Sequence, residues 1–469
     1  MADSPAARPP SMQLAEPSSD GVPIPQRYWA ILSIALGLTL AVLDGAIANV
    51  ALPTIARDVN ASPSDSIWVV NAYQLTVTIS LLPFASAGEI FGYRRVYRWG
   101  LAVFTLASLG CALSDSLISL TLARIIQGFG AAGIMSVNGA LVRFIYPRRF
   151  VGRGLALNAT VGSISAAVGP TVAAAILSVA NWPWLFAVNL PIGSAALLVA
   201  WRALPLTPRA RTRFDLPSAL LSAVSIGLLI TAIDGFGHGE RVEIVITELV
   251  VATVIGLWLV GRQLTRTAPL LPIDLMRIPL FALSVATSIC GFMAQGMAMV
   301  SLPFLLENTL GRNEVQTGLL MTPWPLTVAA IAPLAGRLAD RYKVGILSGT
   351  GLAVLCGGLA LLSTLPAHPS GVDIAWRMMV CGLGFGFFNT PNNRAIITSA
   401  PRSRTGGASG MQATARLLGQ TTGAAVVALV FGVVATHGPL VTLLVSSAVA
   451  GVAAGVSFLR MVEGRGPAA

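Results

Sequence analysis

The sequence predicts an all-α polytopic membrane protein: two pseudo-symmetric six-helix bundles with two further helices inserted between them, fourteen spans in all. Three observations carry this. Of the 469 residues, 55 % are hydrophobic and only 10 % charged, whereas soluble chains carry about 25 % charged residues. Fourteen apolar stretches, bounded by charge or by Pro and Gly, are long enough to cross a hydrocarbon core of ~30 Å as helices. The chain also repeats itself at an offset of 251 to 254 residues.

Residues 1–28 are rich in Pro, Ser and Ala and hold no apolar run, so a disordered cytoplasmic tail is expected. They are not read as a signal peptide, because the run that follows is too long and lacks a small-residue cleavage site. The first bundle, 29–204, takes spans 29–52, 68–90, 97–113, 117–142, 154–180 and 184–204. Residues 205–278 hold linkers rich in Pro and Arg, such as LPLTPRARTRF, around the inserted spans 216–236 and 243–261. The second bundle, 279–461, takes spans 280–306, 315–338, 344–365, 373–397, 406–436 and 440–460, and residues 462–469 form a short cytoplasmic tail.

The basic residues test this map. With the N-terminus inside, 24 of the 30 Lys and Arg fall in inner tails, loops and span ends. Three fall outside (Arg57, Arg241 and Arg312) and three within spans (Arg124, Arg377 and Arg416). So lopsided a split obeys the positive-inside rule and predicts a multi-pass protein of the cytoplasmic membrane with both termini in the cytoplasm. It also accounts for the net charge of +11 without nucleic acid, for which no basic run with interleaved aromatics exists. Cys111, Cys290, Cys356 and Cys381 lie in apolar segments without a CxxC pair, and His238, His368 and His437 fall in outer loops or at helix ends. No metal site is expected.

Three matches in order establish the repeat. The stretch 85–89 after the second span matches 336–340 after the tenth, Arg124 matches Arg377 at an offset of 253, and Gly152, Ala159, Thr160 and Gly169 match Gly406, Ala413, Thr414 and Gly423 at 254. Parallel repeats of this kind build many transporters, with substrate near the midplane.

Chemistry is sought where charge enters lipid. Asp44, the only charged residue of the first span, costs roughly 2.5 kcal/mol or more to insert. Counting ~1.5 Å per residue, Asp44 and Arg124 both sit ~11 Å below the outer surface. They can meet if their helices are neighbours. Burial raises the pKa of such an acid and a nearby Arg lowers it, which suits proton exchange or cation binding; the alternative is a static ion pair that fixes helix packing. Arg377 and Arg416 have no acid obviously placed to balance them, and are read as lining a cavity, attracting an anionic group or binding carbonyls. At the inner end of the second span Glu89, Gly92, Arg94 and Arg95 can form a charge-assisted lock, a pattern repeated by Asp340 and Arg341. Gly169 and Pro170 permit close contact and a bend in the fifth span. Asn71, Tyr73, Gln74, Gln127, Phe292, Gln295 and Asn389 are candidates for contact with substrate, as adaptable apolar surface with sparse amides.

With these residues in view the chain resembles a major facilitator superfamily exporter, of the fourteen-span drug:proton antiporter branch. LDGAIANVALP (residues 43–53) looks like the first-helix signature of that branch, ARIIQGFGAA (123–132) like its RxxQGxGAA motif, and NWPWLFAVNLPIG (181–193) like the stretch at its sixth span. The resemblance implies that Asp44 is the protonatable acid, Arg124 its coupling partner and Gly169-Pro170 the core of the antiporter motif. The loop motif expected as GxLADRxGRR departs at Ala85, Glu89, Ile90 and Tyr93, and the second copy has Lys343 where Gly is usual.

The expected function is proton-coupled efflux of small amphipathic compounds by alternating access, driven by the proton motive force without a cofactor, by a monomer in the lipid bilayer. The rivals are a dedicated exporter of one metabolite, lipid or siderophore on the same fold, and a non-transporting sensor or scaffold. No nucleophile, metal or nucleotide motif supports an enzyme.

Overall fold

The computed structural model describes residues 21–147, 150–207, 209, 214–237, 240–264, 273–339, 341–401, 405–434 and 437–463. The chain makes fourteen helical passes: α1 Gln26–Asp58, α2 Pro63–Phe91, α3 Tyr93–Ala112, α4 Leu117–Ile145, α5 Val151–Leu177, α6 Pro183–Ala203, α7 Leu216–Gly237, α8 Val242–Leu264, α9 Pro279–Thr309, α10 Glu314–Leu338, α11 Val344–Ser363, α12 Gly371–Ser399, α13 Thr405–Val433 and α14 Gly438–Glu463. Three passes are broken near their starts, where α2 resumes after Ile67, α6 after Val188 and α10 after Thr322. The last turn of α9, Leu305–Thr309, is a π-helix. Fourteen alternating passes leave both termini at one end, called here the terminal end; the other is the distal end.

Two boundaries differ from the sequence reading. The link between α2 and α3 is Gly92 alone, at φ 96°, a backbone conformation open to glycine and strained for other residues. Tyr93, Arg94 and Arg95 therefore belong to the first turn of α3 and not to a loop. Residues 21–25, assigned to the tail, are already docked: Val22 is buried and its N–H donates to Ile145 O at 3.0 Å. Gln26 Nε2, at the head of α1, donates to Ala203 O at 3.1 Å.

The duplication is visible in contacts that single residues dictate. Ser62 and Ser116 cap α2 and α4, while Asn313 and Ser370 cap α10 and α12. These caps, each worth about 1 kcal/mol, stand at the offsets of 251 and 254 that the sequence gives. The same spacing relates Gly100 and Gly130, where α3 and α4 touch backbone to backbone, to Gly351 and Gly384, where α11 and α12 do. A Cβ on Gly130 would lie 2.4 Å from Phe104 N and one on Gly384 2.4 Å from Leu355 N, so neither pair admits a side chain. The inserted helices α7 and α8 pack on each other, tied by Arg262 Nη2 donating to Asp215 Oδ1 at 3.1 Å. Helix α7 then lies against α2 and α13, one helix from each bundle, and Trp68 Nε1 donates to Asp234 Oδ2 at 3.0 Å.

The apolar core is one body at the distal end and two at the terminal end. Distally, Ile47 to Ile55 of α1 share a cluster with Phe292, Met297 and Phe304 of α9 and Trp324 of α10. Terminally, the first bundle has its own cluster around Tyr97, Phe104 and Ile145, joined from the second bundle by Leu417 and Ala413 of α13; Phe281, Val285 and Ile396 belong to another. The bundles are thus closed together distally and divided terminally.

Polar contacts reinforce the distal closure. A Cβ on Gly318 of α10 would lie 2.6 Å from Pro170 O of α5, and Thr171 and Thr322 share a hydrogen bond of 2.8 Å across the same interface. Thr54 Oγ1 of α1 donates to Glu314 Oε1 at 3.0 Å, and Arg57 Nη2 donates to Glu307 Oε2 at 3.0 Å and reaches Glu314 Oε1 at 3.5 Å. The Glu307 side chain is 1 % exposed while that of Arg57 is 60 % exposed. Removing the cation therefore leaves a buried carboxylate alone, which is the costly way to break such a pair. In a background with the native cysteines replaced, Thr171→Cys and Thr322→Cys should crosslink readily, and adding Arg57→Ala should lower the yield at least twofold. An unchanged yield would assign distal closure to the apolar contacts.

Candidate functional site

The polar heart of the first bundle is Asp44, which is 2 % exposed. Helix α1 presents it to α3, α4 and α6. Oδ2 accepts from Arg124 Nη1 of α4. Oδ1 accepts from Gln127 Nε2 at 2.9 Å and from Asn189 Nδ2 of α6 at 2.7 Å. Three donors thus converge on one carboxylate.

Further hydrogen bonds orient these donors. Gln127 Nε2 also donates to Ser108 Oγ of α3 at 2.8 Å, and Gln127 Oε1 accepts from Arg124 Nη1 at 2.6 Å. Arg124, fully buried, donates its Nε to Val69 O of α2 at 2.9 Å. Its guanidinium lies over the Tyr73 ring, 4.1 Å from the centroid, and 5.5 Å from that of Phe186. Aromatic faces of this kind stabilise a desolvated cation. Tyr73 donates its hydroxyl to Ala41 O at 2.8 Å and is itself buried in the apolar cluster of the first bundle. Gly169 brings α5 against α1 two residues from Asp44: a Cβ there would meet Ala46 Cβ at 2.5 Å.

The remaining sequence candidates fall into three places. Gln127 does not line the central space, since it is bound into the Asp44 cluster, and Phe292 packs edge-on against Phe385 and Phe388 in the apolar core. Arg377 corrects the expectation of an unbalanced intramembrane cation: its Nε and Nη2 donate to Asp373, one helical turn away, at 3.1 and 3.3 Å, near the distal start of α12. The glycine contacts explain this. They align α4 with α12 at 254 residues, so the structural counterpart of Arg124 is buried Met378 and Arg377 is turned a helical step away.

Between the bundles lie Asn71, Gln74, Gln295 and Arg416. Asn71 is buried with neither amide atom bonded, Gln74 Oε1 is likewise unpaired, and Gln295 Oε1 accepts from Gln420 Nε2 at 3.3 Å. Asn389 Oδ1 accepts from Asn393 Nδ2 at 2.9 Å. At the terminal end the expected lock takes another form, for Glu89 is exposed and Arg94 Nη2 donates to Trp201 O at 2.8 Å. Arg95 borders an apolar groove of about 420 Å³ with Phe84, Phe91, Trp99 and Phe129; Arg341 is exposed, and Asp340 lies outside the described residues.

Sequence reasoning missed Asn189 and Ser108, whose only signal was an amide in the quoted stretch of the sixth span and a serine in the third. It also took Arg460 for an inner-end topology charge. Arg460 is buried, and its Nη1 donates to Asn392 Oδ1 at 2.9 Å and Ser284 Oγ at 3.3 Å.

The family model described as "Major Facilitator Superfamily" matches residues 34–424. The chain belongs to the major facilitator superfamily. It is 57 % identical over 449 residues to "Uncharacterized transporter YebQ" of Escherichia coli, covering 95 % of this chain and 98 % of that one. It is 32 % identical to "Multidrug resistance protein Stp" of Mycobacterium tuberculosis, with 84 % and 74 % covered, and 29 % identical to "Riboflavin transporter RibZ" of Clostridioides difficile, with 85 % and 87 % covered. The chain is therefore a multi-pass membrane transporter protein, not an enzyme.

The Asp44 cluster makes a thermodynamic prediction. Removing one partner of a buried ion pair costs about 3–5 kcal/mol, whereas removing both can be nearly neutral. Arg124→Leu should lower the unfolding midpoint in detergent more than Asp44→Asn/Arg124→Leu together. Strictly additive losses would deny the two residues any coupling.

Proposed function

We propose that this transporter is a proton-driven exporter of small amphipathic compounds, working by alternating access between its two bundles. The observation that carries the reading is Asp44, the buried acid of α1, held inside the membrane region by Arg124, Gln127 and Asn189. A carboxylate with three donors is charged and satisfied; once protonated it loses its hold on Arg124, and α1 and α4 are free to repack. The split of basic residues supports a cytoplasmic terminal end. The bundles divided there and locked distally then correspond to a cytoplasm-open state in which Asp44 has given up its proton.

In this reading cargo and proton do not meet at Asp44, whose carboxylate is enclosed within the first bundle. Communication runs instead through Tyr73, whose ring lies under Arg124 of α4 and whose hydroxyl donates to Ala41 O of α1. The proton motive force is the energy source, and no cofactor is called for.

A relative named as a multidrug resistance protein supports broad export, and one named as a riboflavin transporter supports the second reading, a dedicated exporter of a single compound. A sensor that moves nothing has only the enclosed acid in its favour.

The test is proton exchange in proteoliposomes with an internal pH dye, challenged with chemically diverse drugs and with riboflavin. Wild type should move protons when a substrate gradient is imposed. Asp44→Asn should abolish that signal while the protein still inserts and purifies as a single species, and Arg124→Ala should displace the pH profile. Undiminished coupled transport by Asp44→Asn would refute the assignment.

A further inference from the structure

One cation inside the molecule has no role in the cluster around Asp44. Arg416 lies eleven residues into α13, hence ~17 Å from the terminal end at ~1.5 Å per residue. Its neighbours fix where it sits. Ala413 and Leu417 pack against the first bundle, and Thr421 hydrogen-bonds Thr78 of α2 at 3.2 Å. Gln420, one turn on, reaches across to Gln295 of α9. Ala413 and Gln420, three and four positions from Arg416, share its helical face, so Arg416 lies on the side of α13 that meets the first bundle.

Arg416 is half-buried and makes no hydrogen bond or ion pair with any described residue. The acids of the spans are engaged elsewhere. Asp44 is held by Arg124, Glu307 by Arg57 at the distal end, Asp373 by Arg377 and Asp234 by Trp68. Glu248 sits on α8, which packs against α7 at the edge of the molecule. Glu89, at the terminal tip of α2, is exposed. On the faces that α2 and α13 turn toward each other, the buried amide of Asn71 and the hydroxyl of Thr414 have no partner. The interface between α2 and α13 thus holds an unpaired guanidinium beside unspent hydrogen-bonding groups.

The repeat sharpens the point. The counterpart of Asp44 in the second bundle is Gln295 at an offset of 251, and the counterpart of Arg416 in the first is Gly162 at 254. The acid is enclosed in one half and the free base faces the passage from the other. An uncompensated cation in a low-dielectric site is costly, and the cost is relieved by an anion that accepts its N–H groups in pairs.

We propose that Arg416, flanked by the amides of Gln295 and Gln420, binds an anionic group of the cargo, so that the exported compounds are organic acids or zwitterions and not simple lipophilic cations. This rests on the exporter reading and specifies the substrate class of its central site. An Asp44 that is already paired leaves no negative charge for a cationic cargo to seek.

The probes are 2-naphthoate, 2-naphthamide and 2-naphthylmethylammonium, of one apolar body and three charges, titrated onto purified full-length protein by tryptophan quenching and by calorimetry. Wild type is expected to bind the carboxylate about tenfold more tightly than the amide, as a charge-assisted contact should give, and the ammonium weakest. Arg416→Gln should bring carboxylate and amide to equal affinity, and Arg416→Lys should restore part of the difference. Should Arg416→Gln unfold, the wild-type ranking alone decides. An ammonium that binds as well as the carboxylate, a carboxylate-to-amide ratio untouched by Arg416→Gln in folded protein, or no binding of any probe overturns the proposal. Failure here is distinct from failure of the exporter reading, which is judged by Asp44-dependent proton exchange in vesicles.

Discussion

A carboxylate in the interior of a membrane has two stable conditions: neutral and unattached, or charged and surrounded by donors. Asp44 is surrounded by donors. Arg124, Gln127 and Asn189 come from two helices and converge on its two oxygens, so that α1, α4 and α6 are fastened at one point, with α3 joined through Ser108. Most of what distinguishes the first bundle from the second follows from that requirement. Tyr73, the backbone carbonyl of Val69 and the amide of Gln127 all engage the guanidinium, of which only Nη2 makes no hydrogen bond.

The second bundle shows what the same scaffold does without the charge. At the positions related by the repeat it places Gln295, Met378 and Cys381 where the first has Asp44, Arg124 and Gln127, and its interior is closed by phenylalanines packed edge to face at Phe292, Phe385 and Phe388. Duplication supplied the packing, from helix caps to glycine contacts, and divergence supplied the chemistry. The buried ion pair is confined to one half, and the other carries Arg416 on the side that meets the first.

Much of the architecture was legible because lipid imposes strict terms. Apolar runs of fixed length, a lopsided distribution of Arg and a repeat at constant offset define the passes before any coordinates exist. Asp44 and Arg124 were legible for the same reason, as rare charges at matching depth. Asn189 and Ser108 were not, because uncharged polar side chains are common in membrane helices and carry little penalty. Arg377 was misplaced by a single position, which on a helix is a turn of 100° and separates a residue in the core from one beside its own Asp373. The distal contact of Arg57 with Glu307 and Glu314 was hidden because its members lie at helix ends, where charge is ordinary.

The seams between Gly100 and Gly130, and between Gly351 and Gly384, carry a mechanical meaning as well. Where backbone meets backbone there is no cushion of rotatable side chains to absorb a displacement. A shift of α4 on the release of Arg124 would thus reach α3 without backlash, and α11 and α12 would answer in the same way as a single stiff plank. Such joints turn an event of a few tenths of an ångström at one carboxylate into the tilt of an entire half of the molecule.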